Sequence, residues 1–134
     1  MPKRPIKGKA VATGMTDPKG EAGKLKCPLH ILPPFAMMQT AWVLALGAIK
    51  YGPWNWRGNK VETMTYVGAI MRHLLAYASG EDNDPESGKS HLAHISAGCS
   101  ILMDANHVGN LIDNRPHQMF PKTKTKTGVL DQAA

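Results

Sequence analysis

Apolar residues recur along the middle of the chain at helical spacing. Phe35, Met38, Trp42, Ala45 and Ile49 are three or four positions apart, one face of a helix. Pro33-Pro34 suits the first turn of that helix, and Gly52-Pro53 stops it. A second stripe, Met64, Val67, Met71, Leu74 and Ala78, predicts a helix over about 61–79 with Gly80 as its stop. A third, Leu92, Ile95, Cys99 and Leu102, predicts a helix over about 90–107, ended by Gly109. Strand-like alternation is absent, so the expected class is all-α, a bundle of packed helices. Val43, Leu44, Leu46, Ile70, Leu75 and Ile101 lie off these stripes. They face either the next helix of the same chain or a second subunit, and a bundle completed by oligomerisation is expected.

The flanks lack this periodicity. Residues 1–28 are rich in Gly, Pro, Lys and Thr and read as an extended basic arm; residues 115–134, with a Lys-Thr-Lys-Thr-Lys-Thr run, read as a basic tail. The expected domain is 29–114. A total of 134 residues with 43% hydrophobic and 19% charged content suits one soluble domain with a modest core. No apolar run approaches the ~20 residues that span a bilayer. The N-terminus lacks a secretory apolar segment. Two cysteines, Cys27 and Cys99, make no disulfide framework, so a reducing cytoplasm is expected.

A net charge of +6 invites a nucleic-acid reading, and its distribution changes that picture. Residues 1–26 carry seven Lys or Arg against two acids, and 115–134 carry four against one. Residues 27–114 carry five against seven, and four of those seven acids lie within Glu81–Glu86. A small helical nucleic-acid-binding protein with basic arms remains the rival reading. An acidic turn repels phosphates unless a cation sits in it. A metal-stabilised helical interaction protein without catalysis is the third reading.

The turn Gly80–Gly88 places Glu81, Asp82, Asp84 and Glu86 together, and such carboxylates repel unless neutralised. Hard divalent cations take oxygen ligands, and imidazoles extend the choice toward Mn²⁺ or Zn²⁺. His91 and His94, three apart, project from one side of the next helix toward the same region. A solvated turn with locally bonded histidines is the simpler alternative. An EF-hand loop starting at Asp82 is excluded, because Ser87 and Ala93 stand where Gly and Glu are needed.

Lys50, Tyr51, Trp54, Asn55, Trp56 and Arg57 crowd a helix end and loop. Aromatic faces stack on nucleobases, amides read base edges, and cations hold phosphates. A plug that packs the end of the bundle is the alternative. Arg72-His73 sits within a helix of Met, Leu and Ala: a phosphate grip with a site imidazole, or a solvated face.

The order Leu32-Pro33-Pro34, Gly47-Ala48-x-Lys50-Tyr51-Gly52 with Asn55-Trp56, Arg72-His73-Leu74-Leu75, Gly80-Glu81-x-x-Asp84-x-Glu86-Ser87-Gly88 and His91-Leu92-x-His94 resembles the phage dATP/dGTP diphosphohydrolases. These are a MazG-like branch of the all-α nucleoside triphosphate pyrophosphohydrolases. The resemblance covers about 29–106 and is greatest to the MazZ-type branch of phages that replace adenine by 2-aminoadenine. It implies cleavage of a purine deoxynucleoside triphosphate, dGTP first, to the monophosphate and pyrophosphate, with dGMP supplying 2-aminoadenine nucleotide synthesis. It also implies two or more Mg²⁺ or Mn²⁺ ions, a homodimer or homotetramer, and the cytoplasm of an infected host cell. No membrane and no stable nucleic-acid complex are expected.

On that resemblance Glu81, Asp84 and Glu86 are the expected catalytic carboxylates, with His91 and His94 joining them as metal ligands. Lys50, Arg72 and Lys89 balance phosphate charge, and Tyr51, Trp54, Asn55, Trp56 and His73 complete the nucleotide site. Asp104 is a reserve ligand. The wider MazG pattern has Glu-x-x-Glu on one helix and Glu-x-x-Asp on the next. Here Glu81-x-x-Asp84 falls in a turn and Glu-x-x-Glu is absent.

Overall fold

A computed structural model describes residues 17–116. The basic runs of 1–16 and 117–134 lie outside the described residues. The chain divides between Pro33 and Pro34 into two units. In the first, Asp17 caps a short helix α1 (Pro18–Gly23), its carboxylate accepting from the Lys19 amide, and a 3₁₀ turn follows at Leu29–Ile31. Part of the stretch expected to be extended is therefore helical.

The second unit holds α2 (Pro34–Tyr51), α3 (Asn55–Gly58), α4 (Thr63–Ala78) and α5 (His91–His107). The three long helices fall where the stripes place them. Pro34 opens α2 at a position that needs no N–H donor. Gly52, at φ 88°, takes a left-handed conformation that a residue with Cβ adopts at a cost, and Pro53 prevents continuation. The Ser90 hydroxyl accepts from the Leu92 amide and caps α5.

Two pairs of residues adopt strand geometry that periodicity does not predict. β1 (Val61–Glu62) and β2 (Leu111–Ile112) pair in parallel, Val61 opposite Leu111 and Glu62 opposite Ile112. This pairing ties the segment before α4 to the segment after α5. The Thr63 hydroxyl donates to the Ile112 carbonyl at 3.1 Å, which extends the tie.

Helix α5 packs against both α2 and α4. Its inner surface is made of small residues: Ala93 and Ala97 join Val43 in the core, with Leu44 against them. Gly98 faces α4 so closely that a Cβ there meets Ile70 Cγ1 at 3.0 Å. The stripe expected to be buried on α2 is the exposed one. Val43 is 9% exposed, whereas Phe35 is 71%, Trp42 58% and Ile49 82% exposed in the single chain. The off-stripe face of Val43 and Leu44 turns inward instead, against Ala93 and Ala97 of α5. Met71 and Leu74 on α4 are likewise exposed. Cys27 and Cys99 are free thiols. Among the described residues, no helix is long and apolar enough to cross a membrane.

Candidate active site

Because α5 separates α2 from α4, a cleft opens over it. One part, about 410 Å³, is walled by α2, α3, α4 and α5, with Tyr51, Asn55, Trp56, Tyr66, Ile70 and Ile101 among its lining. The other, about 470 Å³, is lined by Lys50, Asp84, Glu86 and Ser87 together with Ile49 and Leu46 of α2. Val43, Gly47, Tyr51, His73 and His94 line both, so the two adjoin. The cleft thus has an aromatic, mostly apolar end and an acidic, charged end, at a size that suits a small-molecule ligand. Gly47 keeps its floor open: nothing lies within 4 Å of where its Cβ would stand.

The acidic turn is folded on itself. The Asp84 amide donates to the Lys89 carbonyl at 2.8 Å, the Gly88 amide to the Asp84 carbonyl at 2.7 Å, and the His91 amide to the Asp82 carbonyl at 2.9 Å. Asp84 Oδ1 accepts from the Glu86 amide at 3.3 Å. Burial raises the Asp84 pKa, but the Glu86 amide, the Ser87 hydroxyl and nearby His94 outweigh it, and the carboxyl sits below its usual range. Lys50 Nζ bonds Glu86 Oε1 at 2.9 Å, and both side chains are exposed. The ammonium is held above its usual pKa by that hydrogen bond and by the Glu86 charge.

Three imidazoles meet beside this turn. His91 is 3% exposed and both its ring nitrogens are engaged: Nε2 lies 2.7 Å from Glu81 Oε1, and Nδ1 lies 2.8 Å from His73 Nδ1. With Glu81 as a carboxylate and one proton on His91, that proton sits on Nε2. His91 Nδ1 then accepts from His73 Nδ1–H, which leaves His73 Nε2 with a lone pair. The His73 ring stacks on His94, centroids 4.4 Å apart and planes 8° apart. His94 Nε2 lies 2.7 Å from Ser87 Oγ and 3.4 Å from Asp84 Oδ2. Burial depresses the pKa of His73, helped by His91 and Arg72; burial also depresses that of His94, helped by His73.

These positions refine the expected ligand set. Among the described residues, no three of His, Cys, Asp and Glu converge as a ready metal cage. In this arrangement His91 has no ring nitrogen free for a ligand, and one Glu81 oxygen is committed to it. Asp84 and Glu86 remain at the acidic end of the cleft. An incomplete, hard oxygen donor set fits Mg²⁺ or Mn²⁺, which one or two carboxylates hold together with substrate phosphates.

The aromatic end is held from behind. Asp104 of α5 is not at the acidic turn; its carboxylate accepts from Trp56 Nε1 at 2.6 Å and from Arg57 Nε and Nη2 at 2.7 and 2.8 Å. Arg57 first, and then Trp56, holds its pKa down at about 2. Its expected role as a reserve ligand is replaced by this anchoring one. Trp54, at φ 58°, lies 5.4 Å from Trp56 and under the Arg57 guanidinium at 4.6 Å, outside the lining of the cleft. Asn55 and Trp56 do line it.

Two expected phosphate partners lie elsewhere. Arg72 is exposed on α4, outside the lining of both parts of the cleft. Lys89 stands 5.4 Å over the Trp42 ring, in a separate depression with Phe35, Gln39, Thr40 and Asn83. The sequence reading missed Ser87 and Tyr66 as cleft residues and Asn110 as a support. Ser87 stood within the acidic turn, the one signal available; Tyr66 and Asn110 carried none.

A family model described as "dATP/dGTP diphosphohydrolase, N-terminal" matches residues 16–115. The chain is also 36% identical over 102 residues to a dATP/dGTP diphosphohydrolase of Salmonella phage PMBT28, covering 76% of this chain and 32% of that protein. It thus spans about a third of the curated relative it matches. No solved structure matches the chain. The match over most of the chain, spanning every element of the cleft, shows that it belongs to the dATP/dGTP diphosphohydrolase N-terminal family.

Proposed function

We propose that this protein is a nucleoside triphosphate pyrophosphohydrolase that converts a purine deoxynucleotide, dGTP first and dATP second, to the monophosphate and pyrophosphate. The observation that carries this reading is the two-ended cleft: an aromatic end with an amide beside it, joined through His73 and His94 to an acidic end with one lysine. A purine deoxynucleotide has the same polarity along its length. Both purines appear in the name of the phage relative. On the same resemblance, dGMP would supply 2-aminoadenine nucleotide synthesis in a phage.

The aromatic end stacks the base on Trp56, with the Asn55 amide at its edge. Lys50 turns from Glu86 to a phosphate oxygen, exchanging one anion for another at short range. Asp84 and Glu86 would hold Mg²⁺ or Mn²⁺ together with phosphate oxygens; the ion would supply charge neutralisation and acidify a water. His73 Nε2, an acceptor at the junction of the two ends, takes the proton of a water attacking the α-phosphorus. Glu81 and His91 keep that ring in the required tautomer.

The exposed stripe of Phe35, Trp42 and Ile49 supports assembly with a second copy, as a dimer or tetramer. Light scattering of the purified chain checks this, and a monomer at micromolar concentration contradicts it. The functional reading is tested by incubating the protein with each deoxynucleoside triphosphate and Mg²⁺ or Mn²⁺. Monophosphate release from purine substrates is expected; no release from any of them overturns it.

A further inference from the structure

The lip of the cleft is too short to hold its own shape. Helix α3 has four residues, far below the ~12–15 at which an isolated helix becomes marginal. It follows a left-handed tryptophan, Trp54, and ends at Gly58. Its position must come from outside, and two residues provide it. Asp104 binds the Trp56 indole N–H and grips Arg57 through two nitrogens. Asn110 Nδ2 donates to the carbonyls of Trp56, at 2.8 Å, and Asn59, at 2.7 Å, which lie at the C-terminal end of α3. The Asn110 carbonyl in turn accepts from the Val61 amide at 3.1 Å, next to the β1–β2 pair.

We infer that Asp104 and Asn110 are positioning residues that hold the Asn55–Trp56 wall where it meets a purine base, and so set nucleotide affinity without touching substrate. This rests on the functional reading above and extends it. The inference follows from what each bond removes. With its only donor taken by Asp104, the Trp56 indole offers the cleft a ring face and no hydrogen. The polar reading of the base then falls to the neighbouring Asn55 amide. The carboxylate that fixes that ring neither lines the cleft nor reaches the acidic turn.

The test is steady-state kinetics of Asp104→Asn and Asn110→Ala with dGTP and dATP, with dGMP binding followed by tryptophan fluorescence. Loss of uniform binding predicts that KM and the dGMP dissociation constant rise about ten-fold while kcat stays within about two-fold. Trp56→Phe removes the indole N–H together with one of the two fused rings of the stacking face, so KM rises at least as far. A purely structural role would lower the active fraction instead, reducing kcat at unchanged KM, and that result overturns the inference. Unchanged KM in both variants beside an active wild type also overturns it, and leaves the functional reading intact. A wild type that neither binds dGMP nor hydrolyses either triphosphate overturns the functional reading and this inference with it. Melting curves of each variant separate unfolding from weakened binding.

Discussion

Replacing His91 by leucine tests whether the imidazole chain holds the fold together. The side chain is 3% exposed and makes bonds of 2.7 Å to Glu81 and 2.8 Å to His73. Leucine fills most of the space, so the loss is in hydrogen bonding rather than volume. Each bond contributes about 0.5–1.5 kcal/mol net, and a buried polar group left without a partner costs about 1–3 kcal/mol. The Glu81 side chain is 50% exposed and finds water again, so its bond counts at the low end. His73 Nδ1 loses its partner inside the fold and counts more. The expected loss is about 2–3 kcal/mol, or about 10–20 °C in Tm for a domain of this size. Circular dichroism melts of wild type and variant at pH 8 with a chelator measure it. A Tm within about 3 °C of wild type would mean that the chain of bonds contributes nothing net.

Asp84→Asn removes the carboxylate kept ionised in the acidic turn; kcat/KM falls at least about 100-fold with helix content unchanged, by product assay and circular dichroism. Gly47→Leu puts a side chain into the open floor of the cleft, so activity is lost while Tm holds or rises, since glycine costs about 0.5–1 kcal/mol in a helix interior. Gly98→Val lowers Tm instead, because its Cβ presses on Ile70 at 3.0 Å and overpacking costs about 1–3 kcal/mol. His73 and His94 titrate below 6.5 in the folded chain, so the unfolded chain binds more protons as pH drops. Their contribution is complete above pH 6.5 and is lost as pH falls through the lower folded values; His94→Gln flattens that part of the Tm–pH curve.

The three long helices were legible because their boundaries rest on local chemistry: Pro34 at a start, Gly52-Pro53 at a stop, Ser90 as a cap. Which face turns inward was not legible. Periodicity picks out the bulkiest apolar residues, Phe35, Trp42 and Ile49, but the face that packs on Ala93 and Ala97 of α5 is the one around Val43 and Leu44. The acidic turn and its histidines were visible as a charge cluster. Their division of labour depends on tertiary contact: His91 is committed to Glu81 and His73, which stands eighteen residues away in sequence. Asp104 reads as a reserve ligand on its carboxylate alone, and only the folded loop brings Trp56 and Arg57 to it from nearly fifty residues upstream. Lys89 joined the site on charge alone, and the turn of chain that carries it points the ammonium at Trp42.

If the acidic end of the cleft directs water to the α-phosphorus of a purine deoxynucleoside triphosphate, as proposed, the new oxygen enters the monophosphate. Hydrolysis of dGTP in ¹⁸O-labelled water, with products separated and weighed by mass spectrometry, shows where that oxygen goes. One label in dGMP and none in pyrophosphate is the predicted result. Label in pyrophosphate, or release of inorganic phosphate with dGDP, would contradict it.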